Sequence, residues 1–209
     1  VARDRRATAL AQRLDLPAIV AQILADREIE LDQAEAYLAP TLRDLLPDPS
    51  SFRDMDQAVA RLVRAIGAGE KIAVFGDYDV DGATSSALLL RFMRVVGGDI
   101  QAYIPDRIVE GYGPNAPALL KLAADGVRVV VTVDCGITAF EPLAAAAQAG
   151  LDVIVLDHHV AEPQLPTAVA VVNPNRFDEN AGHGYLAAVG VCFLTTIALN
   201  RALRAAGHY

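Results

Sequence analysis

Hydrophobic positions follow two rhythms along this chain. Over residues 3–67 they recur at helical spacing: Ala9, Leu10 and Leu14, then Ile19, Val20, Ile23 and Leu24, with Pro17 placed to start the second segment. Asp32 is placed to cap a short helix ending near Leu38, before Pro40. Residues 41–51, with Pro47 and Pro49, read as an extended connector, and Asp54 opens a helix through Val59, Leu62, Val63 and Ile66 that Gly67 closes. From Lys71 the rhythm changes. Short, continuous, β-branched runs at 72–75, 100–104, 127–133, 153–156 and 169–172 alternate with helical stretches at 84–96, 115–124, 138–149 and 185–206. Unbroken Val/Ile runs between helices mean strands buried on both faces. The predicted architecture is α/β: a mainly parallel five-stranded sheet flanked by helices over residues 57–209, with a helical N-terminal segment over 1–56.

In such a sheet ligands bind outside the carboxyl ends of the strands, and the polar residues there are unusual. The first strand runs into GDYDVDG, which places Asp77, Asp79 and Asp81 at alternate positions before a helix. The strand 127–133 ends in Asp134, Cys135 and Gly136, and the strand 153–156 in Asp157, His158 and His159. Three carboxylates within five residues repel one another unless protons or a cation intervene. Helix capping explains one of them and leaves the other two without a role. An EF-hand loop opens with the same D-x-D-x-D-G, but its twelfth position needs a bidentate glutamate. Here that position is Leu88, and the entering segment is a strand. Taken singly, the paired histidines read as a core histidine and a cap; beside the two other acidic strand ends they read as part of one constellation.

Composition narrows the classes. The chain has 209 residues, 53% of them hydrophobic, enough for a sizeable core and against disorder. Its apolar runs are strand-sized and interrupted, so no membrane span is expected, and the charged start lacks the apolar core of a signal peptide. Two cysteines, without a C-x-x-C pair, exclude a disulfide framework and structural zinc, which fits a reducing cytoplasm. Cys135 reads as core filler, because neighbouring aspartates disfavour its thiolate. The net charge of -8 argues against a generally basic nucleic-acid surface, although clustered aspartates supply part of it and a bound divalent ion reverses its local sign. The arginines at 3, 5 and 6 read as a solvated helix face. No initiator methionine is present, and the chain is expected to be a piece of something longer. Walker A, G-x-G-x-x-G and G-x-S-x-G patterns are absent.

Carboxylates with one or two imidazoles suit Mn²⁺, with Mg²⁺, Co²⁺ and Zn²⁺ as alternatives. Several carboxylates can hold two ions, the arrangement used for in-line displacement at phosphorus.

GDYDVDG, then VDCG, then DHH, with IPDRIVEGYGPN between the first two, resembles the DHH phosphoesterase superfamily and specifically its RecJ branch, over about residues 71–190. The resemblance implies a phosphodiesterase using one or two Mn²⁺ or Mg²⁺ ions. It would act on single-stranded DNA from a 5′ end in repair and recombination, with no membrane, and any repair-protein partners are not readable from the sequence. Carried onto this chain, it makes Asp79, Asp81 and His158 metal ligands, with Asp77 as an additional or supporting one. Asp134 becomes the acid that bridges two metals, His159 the group facing the scissile phosphate, and Asp157 an orienting group. Arg107 falls where a phosphate-contacting arginine stands, and Tyr112 is placed to stack on a base. The family also has a later metal-binding aspartate, a second glycine-rich domain and an OB-like domain that this chain lacks, and AGHGYLAAVG at 181–190 is only loosely like its glycine-rich turn. An N-terminal fragment with weak or no activity of its own is therefore expected. The alternatives are a DHH phosphoesterase of short oligonucleotides, cyclic dinucleotides or pyrophosphate, and a non-catalytic replication scaffold, which would have lost metal ligands.

Overall fold

A computed structural model describes residues 5–209, so Arg3 lies outside the described residues. The chain separates into two compact units at Pro47/Asp48. The first holds four short helices: α1 (Arg5–Arg13), α2 (Ala18–Asp26), α3 (Ala34–Leu38) and α4 (Leu42–Leu45). The core shared by α1, α2 and α3 is Ala7, Leu10, Ala21, Leu24, Ala25 and Ala34. Of the positions that the helical spacing marks, Leu10 and Leu24 are in it and Leu14 and Val20 pack against it. Ala9, Ile19 and Ile23 are exposed instead, because the buried stripe is built mainly from small alanines. Arg5 and Arg6 lie on the exposed face, Arg6 paired to Glu30 at 3.2 Å. Two expectations are corrected here. Gln33, not Asp32, precedes α3. Residues 41–51 are not simply extended: Thr41 caps α4 by accepting from the Asp44 amide at 3.3 Å, and Pro49–Ser51 forms a 3-10 turn started by the Asp48 carboxylate.

The second unit contains α5 (Met55–Ala68), β1 (Lys71–Phe75), α6 (Val80–Val95), β2 (Ile100–Tyr103), α7 (Ala116–Ala124), β3 (Val127–Val133), α8 (Phe140–Gln148), β4 (Asp152–Leu156), β5 (Ala170–Val172) and α9 (Ala188–Ala205). The five strands form one sheet in the order β2-β1-β3-β4-β5, every pair parallel. α7 and α8 cover one face over Ala73, Phe75, Val130, Val153 and Val155. α5, α6 and α9 cover the other, where strand alternation places Ile72, Val74, Val131 and Ile154, all buried. α9, the one described helix long and apolar enough to reach across a bilayer, packs instead against α5 and α6 with Val191, Leu194 and Leu199 buried.

The unit begins earlier than the expected boundary at residue 57 because its lead-in is tied to its far end. The Asp54 carboxylate accepts from the Val171 amide at 3.1 Å and from the buried Arg176 guanidinium at 2.7 Å. Those contacts hold Asp54 in a left-handed conformation, φ 60°, rather than in a capping one. α5 then runs on to Gly69, whose φ of 64° ends it two residues beyond Gly67. α6 starts at Val80, four residues before its expected start, so Asp81 lies in its first turn.

Strand order fixes where a ligand can sit. The chain leaves β1 for β2 on one side and then returns to β3 on the other. β1 and β3 are thus the switch point of this doubly wound sheet, with an open crevice at their carboxyl ends.

Candidate metal centre

β1 delivers the aspartate turn through a close approach that only small residues permit. A Cβ on Gly76 would collide with Ser86 Oγ of α6, and one on Gly82 would come within 2.5–2.7 Å of the Asp77 backbone. The turn is therefore folded tightly back onto the first turn of α6. Within it the Asp77 carboxylate accepts from the Tyr78 amide at 2.7 Å, and Asp79 caps α6 by accepting from the Gly82 amide at 2.9 Å. That bond is the main reason the Asp79 carboxyl sits below its ordinary range. Asp81 bridges to the end of the unit, accepting from the first two amides of α9, Ala188 at 2.8 Å and Val189 at 2.9 Å.

β3 delivers Asp134 with φ at 60°, a left-handed backbone that aspartate tolerates better than most residues. Its amide donates to Leu156 O at 3.1 Å, and its carbonyl accepts from the Tyr112 hydroxyl at 2.9 Å. Gly136, φ 112°, follows where a Cβ would lie 2.6 Å from Thr132 Oγ1.

β4 delivers Asp157, His158 and His159. Asp157 is fully buried and accepts from the amides of Ile137 at 3.0 Å, His158 at 2.7 Å and His159 at 3.2 Å. It also contacts His159 Nδ1 at 2.7 Å. Burial raises the Asp157 carboxyl, but the His159 ring and these amides outweigh it and hold it below the usual range. The same contact raises His159, favouring its protonated form.

These three strand ends converge. Ligand atoms of Asp77, Asp79 and Asp134 lie within 4.8 Å of one another, and so do those of Asp134, His158 and His159. His158 Nε2 is 3.3 Å from Asp134 Oδ1 and 3.6 Å from Asp81 Oδ2. Asp134 belongs to both groups. Burial, followed by the charges of Asp81 and Asp79, pushes its carboxyl up to about 7. A buried acid raised by its neighbours' charges is one that a divalent cation relieves, and hard carboxylate oxygens with one or two imidazoles suit Mn²⁺ or Mg²⁺.

The loop between β2 and α7 closes one flank. The Arg107 guanidinium carbon lies 4.5 Å from the centre of the Tyr78 ring, a cation–π contact that holds it beside the aspartate turn. Tyr112 anchors its hydroxyl on Asp134 and sets its ring edge-on to His159, centroids 6.5 Å apart. Burial keeps that hydroxyl protonated. Cys135 is buried, its thiol raised by desolvation, as core filler requires. Sequence reasoning missed three supporting residues. Tyr78 carries Arg107; Asn173 donates to His159 O at 2.9 Å, and Asn175 donates to His158 O. Both asparagines follow β5 at the same sheet edge, so the strand-end rule that isolates Asp134 also reaches them.

Residues 71–204 match the DHH family, N-terminal domain. The chain is 36% identical over 190 residues to the single-stranded-DNA-specific exonuclease RecJ of Bacillus subtilis (strain 168), covering 91% of this chain and 24% of that protein. It is 37% identical over 207 residues to the protein of the same name from Dickeya dadantii (strain 3937), covering 98% and 35%. Among solved structures, RecJ in complex with Mn²⁺ from Thermus thermophilus superposes with a TM-score of 0.73 at 28% identity, over 95% of this chain and 27% of that one. The chain thus spans between a quarter and about a third of the length of these relatives.

Proposed function

The chain belongs to the DHH family, and on that premise we propose that it carries the metal-binding half of a single-strand-specific DNA exonuclease acting from 5′ ends. The observation that supports this most is the shared position of Asp134. It is common to two groups of ligand atoms, as a carboxylate between two cations must be. In this reading Asp77, Asp79 and Asp134 form one side of the centre, and Asp134 and His158, with Asp81 beside the same His158 nitrogen, form the other. Bound Mn²⁺ or Mg²⁺ would supply an activated water and neutralise charge at the phosphate.

The remaining work belongs to the chain's own residues. His159, oriented by Asp157 and raised by that contact toward its protonated form, faces the cleft as a donor to a phosphoryl oxygen. Arg107, steadied on Tyr78, is placed to hold a terminal 5′-phosphate, for which a planar guanidinium offers two parallel bonds. Tyr112 offers the exposed part of its ring to a base. Both free cysteines are buried, which accords with a reducing cytoplasm.

The test compares 5′-phosphorylated single strands with the corresponding duplex in the presence of Mn²⁺, alongside calorimetric titration of Mn²⁺ into the chain. Expected are saturable Mn²⁺ binding that Asp134→Asn abolishes and Mn²⁺-dependent release of nucleotides from the single strand in preference to duplex. The ratio decides, not the absolute rate, because the chain spans only part of its relatives' length. Absence of Mn²⁺ binding, or equal cleavage of both substrates, overturns the reading.

A further inference from the structure

The loop after β5 carries an aromatic group that the proposed reaction leaves unused. Tyr185 is 76% exposed, yet it is not loosely held. Its hydroxyl lies 3.2 Å from His183 Nδ1, and the two rings meet edge-on with centroids 5.8 Å apart. The His183 ring in turn stacks on Phe52 at 5.5 Å, and Phe52 is itself buried in the unit. The Tyr185 ring thus stands in water on a fixed base. Fixing an exposed aromatic costs ordering entropy and gains little for folding, whereas it prepares a surface for a flat ligand.

The same loop is tied to the metal centre. The Asn175 side-chain amide donates both to His158 O and to Gly184 O, the latter at 3.2 Å, so one group positions a histidine of the centre and the residue before Tyr185. A Cβ on Gly184 would push Asn175 Oδ1 aside and disturb the amide that joins the two. The acids of the loop do not repel an approaching strand unopposed. Asp178 pairs with Arg176 at 2.9 Å, and Glu179 accepts from the Arg53 amide at 2.8 Å while the Arg53 guanidinium contacts Asp178.

Strand order supplies the direction. Arg107 and Tyr112 follow β2, at one edge of the sheet; Tyr185 follows β5, at the other; the aspartates and histidines stand between, on β1, β3 and β4. Four strand spacings separate the edges, about 19 Å. We propose that Tyr185, backed by His183, is a second stacking platform, which takes an unpaired base of a strand whose phosphates cross the metal centre from the Arg107 side. This rests on the single-strand reading above. A ring platform suits a base of any identity and demands that it be unpaired, which also gives the centre a reason to reject duplex.

The test is binding of a 5′-phosphorylated, phosphorothioate-linked single-stranded oligodeoxynucleotide in Mg²⁺, with 2-aminopurine placed at successive positions so that stacking is read as quenching. Wild type is expected to quench one interior position besides any quenched against Tyr112. Tyr185→Ala should lose that interior quench and bind roughly 5- to 150-fold more weakly, the range for one stacked base. Tyr185→Phe should keep both, since it retains the ring. An unchanged quenching pattern in Tyr185→Ala overturns the platform while leaving the single-strand reading intact. Equal losses in the Ala and Phe variants, with melting temperatures unchanged, also overturn it, because they would mean that the hydroxyl anchors the loop. Wild type that binds no single strand overturns the single-strand reading and the platform with it.

Discussion

Replacing Asp134 by asparagine should stabilise the metal-free protein while abolishing its metal binding. The residue is 2% exposed, and its carboxyl is pushed up to about 7 by burial and then by Asp81 and Asp79. An acid whose folded value lies above its unfolded one adds stability below the unfolded value and loses it as pH rises through the folded one. Wild type without metal should therefore weaken between about pH 4 and pH 7. Moving a carboxyl from 3.8 to about 7 corresponds to roughly 4 kcal/mol. Relaxation of the surrounding protein dipoles offsets part of that, leaving about 2 kcal/mol at pH 8. Asparagine keeps the shape, carries no charge and tolerates the left-handed φ of 60° that would penalise alanine. For a unit of this size, 2 kcal/mol raises the melting temperature by about 4–8 °C. The assay is thermal unfolding of both proteins at pH 5 and pH 8, each with a chelator and with Mn²⁺. The expected pattern is a gap in favour of Asp134→Asn that is large at pH 8 with chelator, small at pH 5, and reversed by Mn²⁺, which stabilises wild type alone. A variant that melts below wild type at pH 8 without metal would refute the claim that the acids are held together against their repulsion.

Three further outcomes follow from the geometry. Gly82→Ala should lower stability by about 2–3 kcal/mol and weaken Mn²⁺ binding at least about tenfold in calorimetry: the contact at 2.5 Å with Asp77 O outweighs the gain of about 1 kcal/mol that alanine brings to a helix. Asp157→Asn should shift the His159 titration seen by NMR to lower pH. The part of the stability loss that comes from His159 should be present below its ordinary titration range and vanish as pH rises through its raised one. Arg107→Ala should weaken binding of 5′-phosphorylated single strands by about 1.5–3 kcal/mol and of 5′-hydroxyl strands far less, measured by anisotropy as a two-by-two cycle; equal losses would make Arg107 a loop support.

The strands and the acids at their ends are written locally. β1, β3 and β4 are continuous apolar runs that suit the interior of a parallel sheet, so the end of the sheet at which Asp77, Asp134 and Asp157 emerge follows from strand direction alone. Local signals also start α7 at Asn115, whose side chain accepts from the Ala118 amide at 2.9 Å. They misplace the start of α6 and misread the residue before α5 for different reasons: α6 begins early on a local cap, whereas Asp54 is held by partners distant in the chain. Capping by Asp79 needs the turn folded back through Gly76 and Gly82, and the conformation of Asp54 is set by Val171 and Arg176. What only the tertiary structure decides is how the charges are shared. Order β2-β1-β3-β4-β5 sets β1 beside β3 and β3 beside β4, and so makes Asp134 the acid common to both groups. It also turns Asp81 toward the first amides of α9, and carries Tyr78 under Arg107. Such contacts join positions on different elements, from 29 residues apart for Tyr78 and Arg107 to 107 for Asp81 and Ala188. Periodicity reports which face of its own element a residue occupies, whereas proximity between elements is set by the sheet that joins them.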